Sequence, residues 1–163
     1  MELTFRQIDQ NDNVVLADLI RKVFREFGID QPGTVYTDPT TDHLFELFST
    51  PNSIYWVAEE NGKIIGGCGI YPTDGLPSGC AELVKLYLLP ESRGKGIGLA
   101  LMQKSIASAI EFGFKQIYLE SLPELSKAVN MYEKAGFRHI SEPLGNSGHF
   151  ACNIRMLIDL QSN

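Results

Sequence analysis

The stretch Leu86-Tyr87-Leu88-Leu89-Pro90-Glu91-Ser92-Arg93-Gly94-Lys95-Gly96-Ile97-Gly98-Leu99 decides how this chain is read. Its first part closes a predicted strand, Ala81 to Leu89, which Pro90 stops. Its second part is a glycine turn feeding a predicted helix from about Gly96 to Phe112, closed by Gly113. The first amides of a helix have no acceptor within it, and with the helix dipole they attract an anion. Side chains at Gly94, Gly96 and Gly98 would keep a phosphate off the backbone, and their absence lets it approach. Arg93 and Lys95 add positive charge, so a pyrophosphate fits the turn. Glycines chosen only for their backbone angles are the other reading, and the trio alone does not separate the two.

Two familiar phosphate motifs do not match. A Walker loop needs Ser or Thr after its Gly-Lys, and here Gly96 follows Lys95. A dinucleotide fingerprint needs its third glycine one residue later than Gly98. Glu120 sits where a ribose-binding acid would, but too little chain follows it, and an antiparallel hairpin precedes the turn, so a doubly wound sheet does not fit.

That hairpin is Ser53 to Glu59 and Lys63 to Tyr71 around Asn61-Gly62, a dipeptide suited to a tight turn. Gly66, Gly67 and Gly69 in its second arm predict a bend or a close backbone approach. Further upstream, Leu3 to Ile8 alternates as a strand. Val15, Leu16, Leu19, Ile20, Val23 and Phe27 then recur at helical spacing up to Gly28. Asp38-Pro39 caps a short helix through Leu44 and Phe48. Downstream come a strand from Gln116 to Glu120, a helix from Leu125 to Ala135 closed by Gly136, and strands Phe137 to Ile140 and His149 to Leu157. The expected fold is therefore α/β: a mixed, mostly antiparallel sheet of about seven strands with helices on both faces. The stretch from Ala81 to Glu120 forms its one parallel unit.

Of the 163 residues, 44% are hydrophobic, enough for one packed domain over the whole chain, 1–163, and too short for two. A net charge of −6 and the lack of a basic block argue against nucleic acid. The start Met1-Glu2-Leu3-Thr4-Phe5-Arg6 lacks a signal-peptide pattern, and no apolar run is long enough for a bilayer, so a cytoplasmic protein with no membrane partner is expected. Cys68, Cys80 and Cys152, odd in number and without a Cys-x-x-Cys pair, read as free thiols rather than a disulfide framework or a zinc site. No metal is expected.

Arg93, Gly96 and Gly98 after a strand, with Tyr132-Glu133-Lys134-Ala135-Gly136-Phe137 later in the chain, resemble the two signature elements of the GNAT superfamily of N-acetyltransferases. The order of elements agrees from first strand to last. The resemblance implies an acyl-CoA N-acyltransferase fold with acetyl-CoA as co-substrate, an amine acceptor that is a small molecule or a peptide, and a homodimer. It puts Leu86, Tyr87 and Leu88 against the pantetheine arm in the manner of an added strand. It puts Arg93, Gly94, Lys95, Gly96, Ile97, Gly98 and Leu99 at the pyrophosphate. One departure is Leu125, where many members carry an Asn.

Acetyl transfer to an amine needs a base and a donor for the leaving thiolate. Glu82 shares a strand face with Val84, Leu86 and Leu88, where burial would raise its pKa, and the resembling family often has an acid there. Pairing with Lys85 at a strand end is the alternative. Tyr132 is implied as the acid because the family places a Tyr near the coenzyme sulfur; otherwise it is a core residue beside Val129 and Ala128. His149 and Cys152 could form a nucleophile pair, but no third group is apparent to orient it. His149 is read as a pocket or packing residue, Cys152 as buried, and Trp56 as core. A non-catalytic acyl-CoA sensor on the same fold is the rival function, and it would need neither Glu82 nor Tyr132.

Overall fold

The computed structural model describes residues 2–160, leaving Met1, where the N-terminal reading begins, and residues 161–163 outside the description. Seven strands form one sheet: β1 (Leu3–Gln7), β2 (Ile54–Glu60), β3 (Lys63–Tyr71), β4 (Cys80–Leu88), β5 (Gln116–Ser121), β6 (Arg138–His139) and β7 (Ile154–Asp159). Their order is β1-β2-β3-β4-β5-β7-β6. Every neighbouring pair is antiparallel except β4 and β5. The helices are α1 (Asn13–Glu26), α2 (Leu44–Leu47), α3 (Ile97–Glu111) and α4 (Ser126–Ala135). No helix among the described residues is long and apolar enough to cross a membrane.

The helices cover both faces, and β2 shows why. Its alternate residues Tyr55 and Val57 join a cluster with Leu16, Ile20 and Phe24 of α1 and Leu44 of α2. Ala58, with Trp56 packed beside it, joins Ile97, Leu101, Met102 and Ala109 of α3. A strand with both faces covered has to be apolar at nearly every position, and this one is. Trp56 is a packing residue as read, with its indole N–H donating to Ser108 Oγ at 3.0 Å. Asp38 caps the segment before α2 by accepting from the Thr40 amide at 2.9 Å.

The site is made by a defect in the sheet. β4 and β5 pair only at Cys80–Gln116, Ala81–Ile117 and Glu82–Tyr118. Beyond Glu82 the strands part, and β4 runs on to Leu88 with nothing among the described residues paired on that side. On its other side the register with β3 steps from Gly69–Val84 to Gly67–Tyr87, so β4 carries an extra residue. That residue is Lys85, whose φ of 55° is left-handed. A non-glycine residue there costs about 1–3 kcal/mol and persists only where its surroundings impose it. Here Tyr55, on β2, reaches across β3 and donates its hydroxyl to the Lys85 carbonyl at 2.8 Å. It can do so because Gly67 has no side chain: a Cβ there would lie 2.5 Å from the Tyr55 ring. The close approach read from the glycines is this one.

The bulge corrects one expectation. Glu82 and Val84 share a face, but Leu86 and Leu88 do not join them. After the extra residue Leu86 and Leu88 pack only against the α3 cluster, and Tyr87 takes over the face of Val84, beside Phe24. The end of the chain corrects two more. β6 is only two residues long, and the last strand begins at Ile154 rather than His149. The segment before it is held as a turn by Cys152 N–H to His149 O at 3.0 Å and by Ala151 N–H to Gly33 O at 2.9 Å.

Candidate active site

The parting of β4 from β5 leaves two adjoining spaces. One is an open groove of about 500 Å³ lined by Leu86, Tyr87 and Leu88, by Arg93, Gly94, Gly96, Gly98 and Leu99, and by α4 residues including Ala128 and Met131. At one end, the glycine turn and the start of α3 supply free donors. The first helical bond is Ala100 N–H to Gly96 O, and among the described residues none of the amides from Gly94 to Leu99 donates to a backbone carbonyl. Gly94 and Gly96 have φ of 77° and 80°, and a Cβ on either would meet nothing within 4 Å, projecting into open space. This is a cradle for an anion, kept open by the missing side chains.

The seven residues expected at the pyrophosphate fall into four situations. Gly94, Gly96, Gly98 and Leu99 line the groove. Ile97 is buried in the core and offers only its amide, and Lys95 is exposed to solvent. The Arg93 guanidinium is held by both Glu26 oxygens at 2.7 and 2.9 Å and by the Leu88 carbonyl at 2.9 Å, over the Phe27 ring. Its charge is largely matched by Glu26, so it ties the turn to α1 and the end of β4.

The second space is a small cavity of about 60 Å³ where the strands diverge, lined by Glu82, Lys85, Glu120, Tyr132, His149 and Cys152, and sharing Leu86, Tyr87, Leu125 and Ala128 with the groove. Glu82 and Tyr132, expected to be catalytic, therefore face one cavity at the inner end of the groove. Glu82 is 3% exposed. Burial pushes its carboxyl up to about 7, with Glu120 adding to the rise, while a hydrogen bond from Thr73 and the charges of His149 and Lys85 oppose it. Thr73 Oγ1 donates to Glu82 Oε1 at 2.6 Å; Oε2 accepts no hydrogen bond among the described residues. A carboxyl with its pKa near neutrality and a free oxygen on a cavity suits general-base work. Tyr132 is buried, packs edge-on against Phe137 and has its hydroxyl raised by burial, so it stays a protonated donor near neutral pH.

His149 is not in a strand, and it has an orienting group after all. Its Nε2 lies 2.8 Å from Asp38 Oδ2, joining loops from distant parts of the chain. Burial opposes ionisation of Asp38, yet hydrogen bonds from His149 and Thr40 hold its carboxyl well below the usual range. Cys152 is no nucleophile, because burial pushes its thiol up to about 12. The sequence offers Lys85 only as a partner for Glu82 and does not place it on the cavity. The visible signal was a charge at the centre of the apolar run Leu83-Val84-Lys85-Leu86-Tyr87.

Residues 18–137 match the acetyltransferase (GNAT) family. An uncharacterized N-acetyltransferase of Escherichia coli K12, YjgM, is 41% identical over 156 residues, covering 95% of this chain and 93% of its own. In fold, a GNAT-family acetyltransferase of Staphylococcus aureus Mu50 superposes with a TM-score of 0.88 at 21% identity, covering 98% of this chain and all of that one. The PaiA N-acetyltransferase of Thermoplasma acidophilum, solved in complex with coenzyme A, superposes with a TM-score of 0.74 at 17% identity, over 98% of this chain and 100% of its own.

Proposed function

The chain belongs to the GNAT acetyltransferase family, and from that premise we propose that it binds acetyl-CoA along the groove and passes the acetyl group to a primary amine by direct attack in a ternary complex. The observation that carries this is the junction of the two spaces. The groove, with its anion cradle, runs into a cavity that Glu82 and Tyr132 both line. Donors at one end suit a pyrophosphate. The unpaired edge of β4 beyond Glu82 suits an extended arm with amide groups, which would pair as an added strand. The thioester would then lie at the parting of the strands.

The chemistry follows from what lines that point. The acceptor amine, arriving as an ammonium, gives up one proton to Glu82, directly or through a water, and its nitrogen attacks the thioester carbonyl carbon. The second N–H proton passes through water to solvent as the intermediate collapses, and Glu82 releases its own proton to solvent afterwards. As the C–S bond breaks, the Tyr132 hydroxyl donates its proton to the departing thiolate and later regains one from solvent. The products are an acetamide and free coenzyme A. Neither a covalent enzyme intermediate nor a nucleophilic cysteine is needed, in keeping with the high pKa of Cys152.

The test has two stages. Titration calorimetry should detect binding of acetyl-CoA and coenzyme A but not NAD. A thiol-release assay with a panel of amines should then show turnover that depends on both substrates. Binding without turnover on any amine would support a sensor instead.

A further inference from the structure

The cavity beside Glu82 holds a charge that the proposed transfer chemistry does not use. Lys85 is 7% exposed and lines the cavity, yet among the described residues its ammonium forms neither a hydrogen bond nor an ion pair; only its backbone carbonyl is engaged, by Tyr55. A buried ammonium with three unused donors is costly unless something satisfies it. The carboxylates around it are occupied. Asp38 Oδ1 accepts from the Thr40 amide and hydroxyl, and Oδ2 takes His149. Both Glu120 oxygens are taken, one by Ser147 and the other by Tyr118. Glu82 Oε1 takes Thr73. Among the described residues the Tyr132 and Ser121 hydroxyls on the cavity are open too, but neutral. Among the charged groups there, what remains open is one carboxylate oxygen, Glu82 Oε2, and the Lys85 ammonium.

From these two open groups we propose that the acceptor is a small α-amino acid or a close relative, its amine received at Glu82 and its carboxylate bound by the Lys85 ammonium. This rests on the transferase reading and narrows its substrate. An amine next to a carboxylate is the small unit that answers both groups at once. The backbone supports the assignment. Lys85 is the extra residue that bends β4, so the distortion where the strands open also puts Lys85 on the cavity, with its charge in reach of Asp38 and Glu82. Size agrees as well. A space of about 60 Å³, with His149 of the Asp38–His149 contact in its lining, is of the size of a small zwitterion.

Thiol release should be measured with acetyl-CoA and three acceptor sets: the standard L-amino acids, their amides, and the matching amines that lack the carboxylate. For the best amino acid, kcat/KM should exceed that of its amide and its amine by about 10²-fold, the scale expected when one partner of a buried charge pair is removed. Lys85→Gln keeps a Cβ at the strained position and so adds no backbone penalty. It should raise KM for the amino acid and shrink the preference to a few-fold, with the acetyl-CoA dissociation constant unchanged. Should Lys85→Gln misfold, the selectivity of the unaltered protein still decides the matter. Equal or better turnover of amides, simple amines or protein lysines overturns the proposal and leaves the transferase intact. Acetyl-CoA binding with no thiol release from any of these sets overturns the proposal, and only silence across the wider amine panel overturns the transferase reading along with it.

Discussion

Glu82→Gln tests two consequences of one buried carboxyl. The substitution keeps the side chain's size and its acceptor oxygen for Thr73, and removes only the ionisable group. In the folded protein the carboxyl sits at about 7 against an ordinary value of 4.5. Below pH 4.5 it is protonated whether the chain is folded or not, and contributes no pH dependence. Between 4.5 and 7 the unfolded chain releases the proton and the folded one keeps it, so stability falls as pH rises; above 7 the loss is complete. The difference corresponds to on the order of 3 kcal/mol. Urea unfolding of the ligand-free protein at pH 4, 6 and 8 should show Glu82→Gln gaining on the parent with each step, approaching that limit at pH 8. The same group governs rate. The parent's kcat/KM should rise through an apparent pKa near 7, and the variant should lose this limb and ~10²–10⁴-fold in turnover at neutral pH. Part of the rate should return in alkali, where the amine loses its proton unaided. If the variant matches the parent in both acidic limb and rate, Glu82 is not the base. If urea midpoints of the two move together from pH 4 to 8, the carboxyl is not desolvated as the geometry requires.

Gly96→Val places bulk in the open cradle at a left-handed φ of 80°; calorimetry should show acetyl-CoA binding weakened at least 10²-fold in a protein that still unfolds cooperatively, and unchanged affinity would remove the pyrophosphate from this turn. Tyr132→Phe should slow kcat by ~10²-fold with coenzyme affinity retained, and a normal kcat would make Tyr132 a packing residue. Tyr55→Phe removes the hydroxyl that holds the Lys85 carbonyl, leaving a buried acceptor unpaired; thermal unfolding should report a loss of about 1–3 kcal/mol, and acetyl-CoA should bind more weakly because the bulge relaxes. Full stability with full affinity would show that the bulge needs no such strut.

Much of the fold was legible because periodicity and punctuation agreed. The hairpin about Asn61-Gly62, the helix stopped at Gly28 and the helix begun at Gly96 each carry a local cause that tertiary contacts did not override. Glu82 was placed on a buried face by simple alternation. The same rule failed three residues later, because a bulge is an event between strands. Nothing near Lys85 in sequence announces that Tyr55, thirty positions earlier, will hold its carbonyl. The Asp38–His149 contact was hidden for the same reason. Each residue has an adequate local reading, as helix cap or loop histidine, and only the sheet's topology brings the two loops together over the cavity.

Because β4 and β5 share only three pairs before they part, the sheet contains an edge of its own. Its two halves are joined at Cys80–Glu82, and between them lies a slot shaped for a strand that none of the described residues supplies. An extended coenzyme arm seated there, as proposed, would act as the missing strand, and the edge amides of β4 from Leu83 to Leu88 should become slow to exchange with deuterium only when it is present. Such a protein is completed by its own substrate. Its resistance to unfolding and to proteases then rises with the logarithm of acetyl-CoA concentration, so its persistence is coupled to the supply of the group it transfers.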